Sequence, residues 1–214
     1  MPIFFAHDLS GNHDKSAMQF DAVVDRFPGV SVWSSLFIFD LNGIGDFFGT
    51  SRLNRWAFLA GGRILSPIPS RFDADLTLEF SAVRPWTYMG QNSVKNTFVN
   101  FGLPMGSELG PDSRTLHARL SWRPCPKVAL DLEAANLEKG VGRQATLGST
   151  FSAVDPVNVG FFSGGIREFR SVGLDADLEM VRKVHLLAGI GRQWNEVGPS
   201  DPGMTWKLGG TAEW

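Results

Sequence analysis

The chain has 214 residues with 20 basic and 22 acidic side chains, a formal net charge of −2. That balance excludes the strongly basic surface that nucleic acid would attract, and it gives no reason to expect an anionic lipid surface as the partner. Hydrophobic residues make up 43%, yet no run of 18 apolar residues occurs, so no transmembrane helix is predicted.

Seven Trp and 17 Phe against one Tyr, with 24 Gly, point to many strands and turns. Residues 2–7 read as the tail of a strand, and 8–17 as a polar loop. Met18, Phe20, Ala22 and Val24 then alternate with Gln19, Asp21, Val23 and Asp25. Pro28-Gly29 is a tight turn. Val30 to Asp40 is a second strand with a blurred pattern, because Trp33, Phe37 and Phe39 fall on its polar face. After a Gly- and Asn-rich loop, 41–54, the positions Trp56 to Ile64 alternate. The turn at 66–70 leads to Ala74, Leu76, Leu78, Phe80 and Ala82, opposed by Asp75, Thr77, Glu79 and Ser81.

A long connection, about Met89 to Ser113, precedes Leu116, Ala118, Leu120 and Trp122. Pro124 to Lys127 is a turn, and Val128 to Ala135 alternates again. Its lone thiol, Cys125, excludes an intramolecular disulfide. From about Gly140 to Gly165 runs a second long connection. Val172 to Met180 and Val184 to Ile190 are strands about the turn Val181-Arg182-Lys183. Asn195 to Met204 is a loop. Thr205 to Trp214 alternates strictly and ends on an aromatic, the length and pattern of one tilted strand crossing a bilayer.

These nine strands, with a tenth at the N-terminus in question, show no 3.6-residue period. Their connections alternate long and short, so an up-and-down meander puts every long loop at one end. Outer-membrane barrels have this asymmetry. The polar faces carry Asp75, Glu79, Arg119, Asp131, Glu133, Asp175, Asp177 and others. An Arg or Lys toward mid-bilayer lipid costs roughly 2–4 kcal/mol. In a membrane that face must therefore look into the lumen, where its mixed signs suit ion pairs across strands; His117 and His185 are expected in hydrogen bonds there. In a soluble sheet the same face would be solvated. Trp56, Trp86, Tyr88, Trp122, Trp194, Trp206 and Trp214 near strand ends fit interfacial girdles, or the capping of a core.

The expected fold is thus all-β, an antiparallel up-and-down transmembrane β-barrel. Residues 1–214 form one barrel domain or the C-terminal portion of a larger one. Glu79-Phe80-Ser81-Ala82-Val83-Arg84-Pro85-Trp86-Thr87-Tyr88, then Asn100-Phe101-Gly102-Leu103-Pro104-Met105-Gly106 and Leu109-Gly110-Pro111, resemble the Wzi-type capsule assembly family of bacterial outer-membrane proteins. Phe101 replaces the family's Tyr, Leu103 its Gln, and Glu108 falls near its second Pro. Asn54-Arg55-Trp56-Ala57-Phe58 is also similar. The resemblance covers most of the chain and corresponds to the C-terminal half of the family's larger barrel. Met1 to Phe5 lack the basic start and apolar run of a secretory signal; a fragment or truncated reading frame is the expectation that the resemblance supplies.

The resemblance implies a monomeric outer-membrane protein that attaches or assembles capsular or extracellular polysaccharide as a lectin, not an enzyme. Flat aromatics against sugar C–H faces, and Asn, Gln and Arg toward hydroxyls, make Arg84, Trp86, Tyr88, Gln91, Asn92, Asn96 and Asn100 the candidate ligand-binding residues. Loop packing within the barrel mouth is the competing role for the same residues. Outer-membrane lipid is the other expected partner. Neither a nucleophile elbow, a phosphate loop nor a Cys/His cluster occurs, so no catalytic residue, cofactor or metal is expected; His7 and His13 merely share a loop. A sugar or solute porin and a soluble β-barrel binding module are the alternatives.

Overall fold

The computed structural model describes residues 17–40, 48–49, 54–66, 73–91, 99–100, 103–104, 109–146, 150–151, 156, 158–162, 164–181, 184–195 and 203–212. Residues 2–7, most of loops 8–17, 41–54 and 195–204, turn residues 182–183, His7, His13 and Trp214 lie outside them. Alternating apolar and polar side chains suit a pleated ribbon with two unlike faces, and the chain uses that pattern throughout. Thirteen strands are described: β1 (Met18–Phe27), β2 (Val30–Asp40), β3 (Arg55–Leu65), β4 (Asp73–Val83), β5 (Gly90–Gln91), β6 (Val99–Asn100), β7 (Leu103–Pro104), β8 (Ser113–Cys125), β9 (Val128–Gly140), β10 (Thr150–Phe151), β11 (Ile166–Val181), β12 (Val184–Asn195) and β13 (Met204–Ala212).

The long strands make one nine-stranded sheet in the order β1-β2-β3-β4-β8-β9-β11-β12-β13, each antiparallel to its neighbours. β1 and β13 are its two edges. Connections at one end are tight, at 28–29, 66–72, 126–127 and 182–183; those at the other are 41–54, 84–112, 141–165 and 196–203. Within the long ones, β5 pairs with β10 in parallel, and β6 with β7 antiparallel. Cys125, exposed, is the last residue of β8 rather than part of the turn.

Register sorts the side chains by face. One cross-strand row reads Val30, Ile64, Leu76, Leu120, Leu132, Leu174, Ile190, Trp206, apolar across eight strands. On the opposite face the next row reads Leu65, Asp75, Ser121, Asp131, Asp175, Gly189, Lys207. The charged face is paired within itself. Arg63 bonds Asp75, and Arg119 and Ser121 both bond Asp131. His117 meets Glu133 at 2.6 Å, His185 meets Asp177 at 2.9 Å, and Lys207 lies 3.7 Å from Asp175. The expected ion pairs and histidine bonds across strands are therefore present.

The apolar face has no layer packed on it among the described residues. Leu116, Leu120, Leu132 and Leu174 expose 37–55% of their surface, and Leu208 82%. Among the described residues these side chains are not gathered into an interior core. The buried hydrophobic cluster of Trp86, Met89 and Val159 instead lies where the long connections meet the strands.

Candidate functional site

Arg84 follows the last residue of β4, and Pro85 turns the chain back over the strand ends. The Arg84 N–H donates to Trp56 O at 3.0 Å, the Thr87 N–H to Arg84 O at 3.3 Å, and the Met89 N–H to Trp86 O at 3.1 Å. The Thr87 hydroxyl donates to Trp56 O at 3.2 Å. This compact turn buries Trp86 and Tyr88 to 2% exposure and Met89 completely. Tyr88 packs on Phe37, ring centroids 5.6 Å apart, and Phe37 on Phe39 at 6.4 Å. Of the aromatics that blur the pattern of β2, Phe37 and Phe39 are thus part of this cap.

The Arg84 guanidinium, 4% exposed, joins three connections. Its Nε donates to Asn54 O at 3.4 Å, and its Nη2 to Gly49 O at 3.0 Å and Val159 O at 3.2 Å. Arg55 Nη1 donates to Met89 O at 2.7 Å, and its guanidinium lies over the Phe39 ring. Lys139, near the end of β9, donates to Leu109 O at 2.5 Å and Pro111 O at 2.6 Å. Arg114 stacks on Phe161 and Phe162, 4.3 and 5.0 Å from their centroids. Charge-assisted bonds to backbone contribute about 1.5–3 kcal/mol each, so Arg84, Arg55 and Lys139 fix the connections onto the sheet, and Arg114 adds its cation–π contacts.

Asp112 is the carboxylate among them, and it is buried. Its Oδ1 accepts the Phe162 N–H at 2.9 Å; its Oδ2 has no hydrogen-bond partner among the described residues. Burial pushes its carboxyl above the ordinary value, outweighing the Phe162 N–H and the charges of Lys139, Arg84 and Arg114. Trp86, Tyr88, Asp112 and Phe162 all adopt positive φ, between 55° and 68°. Such backbone is costly for bulky residues, of order 1–3 kcal/mol each, and persists only where surrounding contacts over-determine it. Two long connections are also tied directly, by the Trp86 N–H to Gln144 O at 3.0 Å and by the β5–β10 pair.

Of the seven residues marked by sequence, Arg84, Trp86 and Tyr88 are brought together in this cap, buried against the strand ends. Their rings and guanidinium face protein, the packing role that competed with sugar contact. Gln91 and Asn100 fall in β5 and β6, their side chains outside the described residues, and Asn92 and Asn96 lie outside entirely. Trp56 is buried with the cap, and Trp206 is 72% exposed on the edge strand β13. Asp112, Lys139, Phe161 and Phe162 escaped the sequence reading. Gly110-Pro111 before a strand start was the available signal for Asp112; an isolated Lys or Phe-Phe gives none. No group of three His, Cys, Asp or Glu side chains able to hold a metal occurs among the described residues.

The class these features define is an all-β protein, one antiparallel nine-stranded meander with a strained, cation-pinned cap at its long-connection end. The sequence matches no family model, and no curated protein matches it.

Proposed function

We propose that this chain forms the wall of an outer-membrane β-barrel that serves capsule or exopolysaccharide assembly or surface attachment, binding polysaccharide through its long connections. One observation carries the reading: the apolar row from Val30 to Trp206 lies uncovered, back to back with a charged face bonded within itself. Exposed to water, each Leu or Ile of that row forgoes about 1.5–3 kcal/mol that burial would supply. Against acyl chains the cost disappears. From Val172 to Met180 the same face of β11 is apolar over eight steps, about 26 Å of strand at ~3.3 Å per residue. That is of the order of the ~25 Å band of outer-membrane barrels.

The polysaccharide part rests on the resemblance to the Wzi-type family, whose motif residues Arg84 to Tyr88 are those that hold the cap together here. In this reading the cap positions the connection, and Gln91, Asn92, Asn96 and Asn100 offer amides to sugar hydroxyls. A rigid base of this kind lowers the ordering cost of binding.

The test is to fold the chain into vesicles and titrate capsular polysaccharide. Saturable binding lost at least tenfold in the Asn92→Ala/Asn96→Ala/Asn100→Ala variant is expected. A monodisperse soluble monomer without detergent overturns the membrane reading. Insertion with no polysaccharide binding, or with a large steady conductance, overturns the capsule role.

A further inference from the structure

On the charged face, a hollow of about 150 Å³ opens across β9, β11, β12 and β13, close to the 196–203 connection. Its floor is glycine. Glu133, Gly173, Gly191 and Thr205 are successive cross-strand partners, and so are Asp175, Gly189 and Lys207 in the row to one side. Ser171 and Gln193 are partners in the row to the other side.

The three glycines differ in what lies over them. The Asp175 carboxylate covers Gly189, and the Thr205 hydroxyl stands over Gly191. Over Gly173 the space is open: a Cβ there would meet only Ile190 O, at 3.9 Å. Its φ is not left-handed, and the ladders on both sides of it keep an unbroken register. Nothing in the backbone requires glycine at this place, and glycine inside a strand weakens it. Where no bulge explains such a residue, the close approach of a ligand or of another backbone does.

The side chains around Gly173 are also those that this face leaves uncommitted. Elsewhere on it Arg63 is bonded to Asp75, Arg119 to Asp131 and His185 to Asp177. Here the Ser171 hydroxyl and the Gln193 amide have no hydrogen-bond partner among the described residues. Lys207 stands 3.7 Å from Asp175, beyond hydrogen-bond reach. Glu133 gives Oε1 to His117, which leaves Oε2 without a partner among the described residues.

Both kinds of hydrogen-bonding group surround the hollow. The Glu133 and Asp175 carboxylates accept, the Lys207 ammonium donates, and Ser171, Thr205 and Gln193 do both. Two carboxylates against one ammonium disfavour an anion. No group of three side chains able to hold a metal occurs among the described residues, and the ammonium opposes an organic cation. A neutral ligand whose groups each donate and accept satisfies all of them, which is the property of hydroxyls.

We propose that this hollow binds one sugar unit, a neutral pyranose lying flat over Gly173 with its hydroxyls toward Glu133, Ser171, Asp175, Gln193 and Lys207. In the barrel reading this is a place on the lumen wall, separate from the amides of the long connections. The inference rests on the polysaccharide reading only for the origin of the sugar; the site is argued from this face alone.

The full chain, folded in micelles and labelled for amide NMR, is titrated with the methyl pyranosides of glucose, galactose and mannose, and with glucuronate. At least one neutral pyranoside is expected to shift the Gly173, Gly191 and Thr205 amides saturably, with a Kd on the order of millimolar. Glucuronate binds about fivefold more weakly, repelled by the two carboxylates. Gly173→Val fills the hollow without a clash and adds a good strand former, so binding falls about tenfold while the unfolding temperature holds or rises. Ser171→Ala and Gln193→Ala each weaken binding about three- to fivefold. No shift with any pyranoside, or shifts that survive Gly173→Val, overturn the inference. A lower unfolding temperature in Gly173→Val also overturns it, because the space then holds another stretch of chain. Polysaccharide binding that persists in Gly173→Val and is lost in Asn92→Ala/Asn96→Ala/Asn100→Ala keeps the proposed function even if the hollow takes no sugar. Pyranoside binding at Gly173 in a chain that binds no polysaccharide overturns that function and keeps this site.

Discussion

The Asp112 carboxylate lies against the Cα of Gly140 and fills the space that a side chain there would need. The Gly140 N–H donates to Asp112 O at 2.7 Å, so backbone bond and side-chain contact hold the same two residues together. Gly140→Ala drives a methyl into the carboxylate and is expected to destabilise the fold by about 1–3 kcal/mol. Denaturant unfolding in micelles measures it. Asp112→Ala in the Gly140→Ala background recovers part of the loss, a non-additivity that distinguishes collision from a local glycine effect.

The raised Asp112 carboxyl gives the cap a pH dependence of definite sign. The folded state binds this proton more tightly than the unfolded chain does. The group's contribution is fully present below the ordinary carboxylate range and is lost as pH rises through its elevated folded value. Asp112→Asn keeps an acceptor for the Phe162 N–H and removes the buried charge. It is expected to slow exchange of the Gly140 and Phe162 amides at pH 7 relative to wild type, and to make little difference near pH ~3.

Trp33 lies on the charged face, where its indole N–H donates to Glu79 Oε2 at 3.2 Å. Its ring covers Gly61 so closely that a Cβ there would overlap it. Gly61→Val should therefore cost about 1–3 kcal/mol through overpacking. The Trp33→Ala/Gly61→Val pair should be less damaging than the sum of its singles, as read by thermal unfolding.

Leu174 sits mid-row on the apolar face between Leu132 and Ile190. If that row faces lipid, Leu174→Arg costs about 2–4 kcal/mol of folding free energy in bilayers. In water the same change on an exposed position lies within about ±0.5 kcal/mol. Folding titrations in vesicles separate the two outcomes, with the neighbouring Asp175→Arg on the opposite face as the control.

Arg84→Lys preserves the charge but not the fork that reaches Asn54 O, Gly49 O and Val159 O. A loss of about 2–4 kcal/mol is expected from carbonyls left buried without a donor. Protease cleavage within 92–98 of the folded protein, faster than in wild type, reports release of the cap.

All nine long strands were legible as alternation, because register and burial demand act at every second residue. Their lengths were not. β8, β9, β11 and β12 extend three to six residues beyond the sequence-based limits at the long-connection end. Arg114, Asn136, Glu138, Glu168 and Arg170 occupy positions there that continue the apolar face, so the pattern stops while the hydrogen-bond ladder goes on. β2 blurred for the converse reason: Trp33 and Phe37 are bulky groups on the charged face, satisfied by Glu79 and Tyr88. In the cap, Arg84, Trp86 and Tyr88 stood out in the sequence, with sugar contact and loop packing as their competing roles. Their burial depends on carbonyls at Asn54, Gly49, Val159 and Gln144, far along the chain and without side-chain signature.

Nine is an odd count. Each strand of the meander reverses the one before, so its first and last members, β1 and β13, run in the same direction. Zipped directly to each other they would form a parallel seam. A cylinder antiparallel at every joint takes one, three or another odd complement of strands between those two edges, whatever chain supplies them.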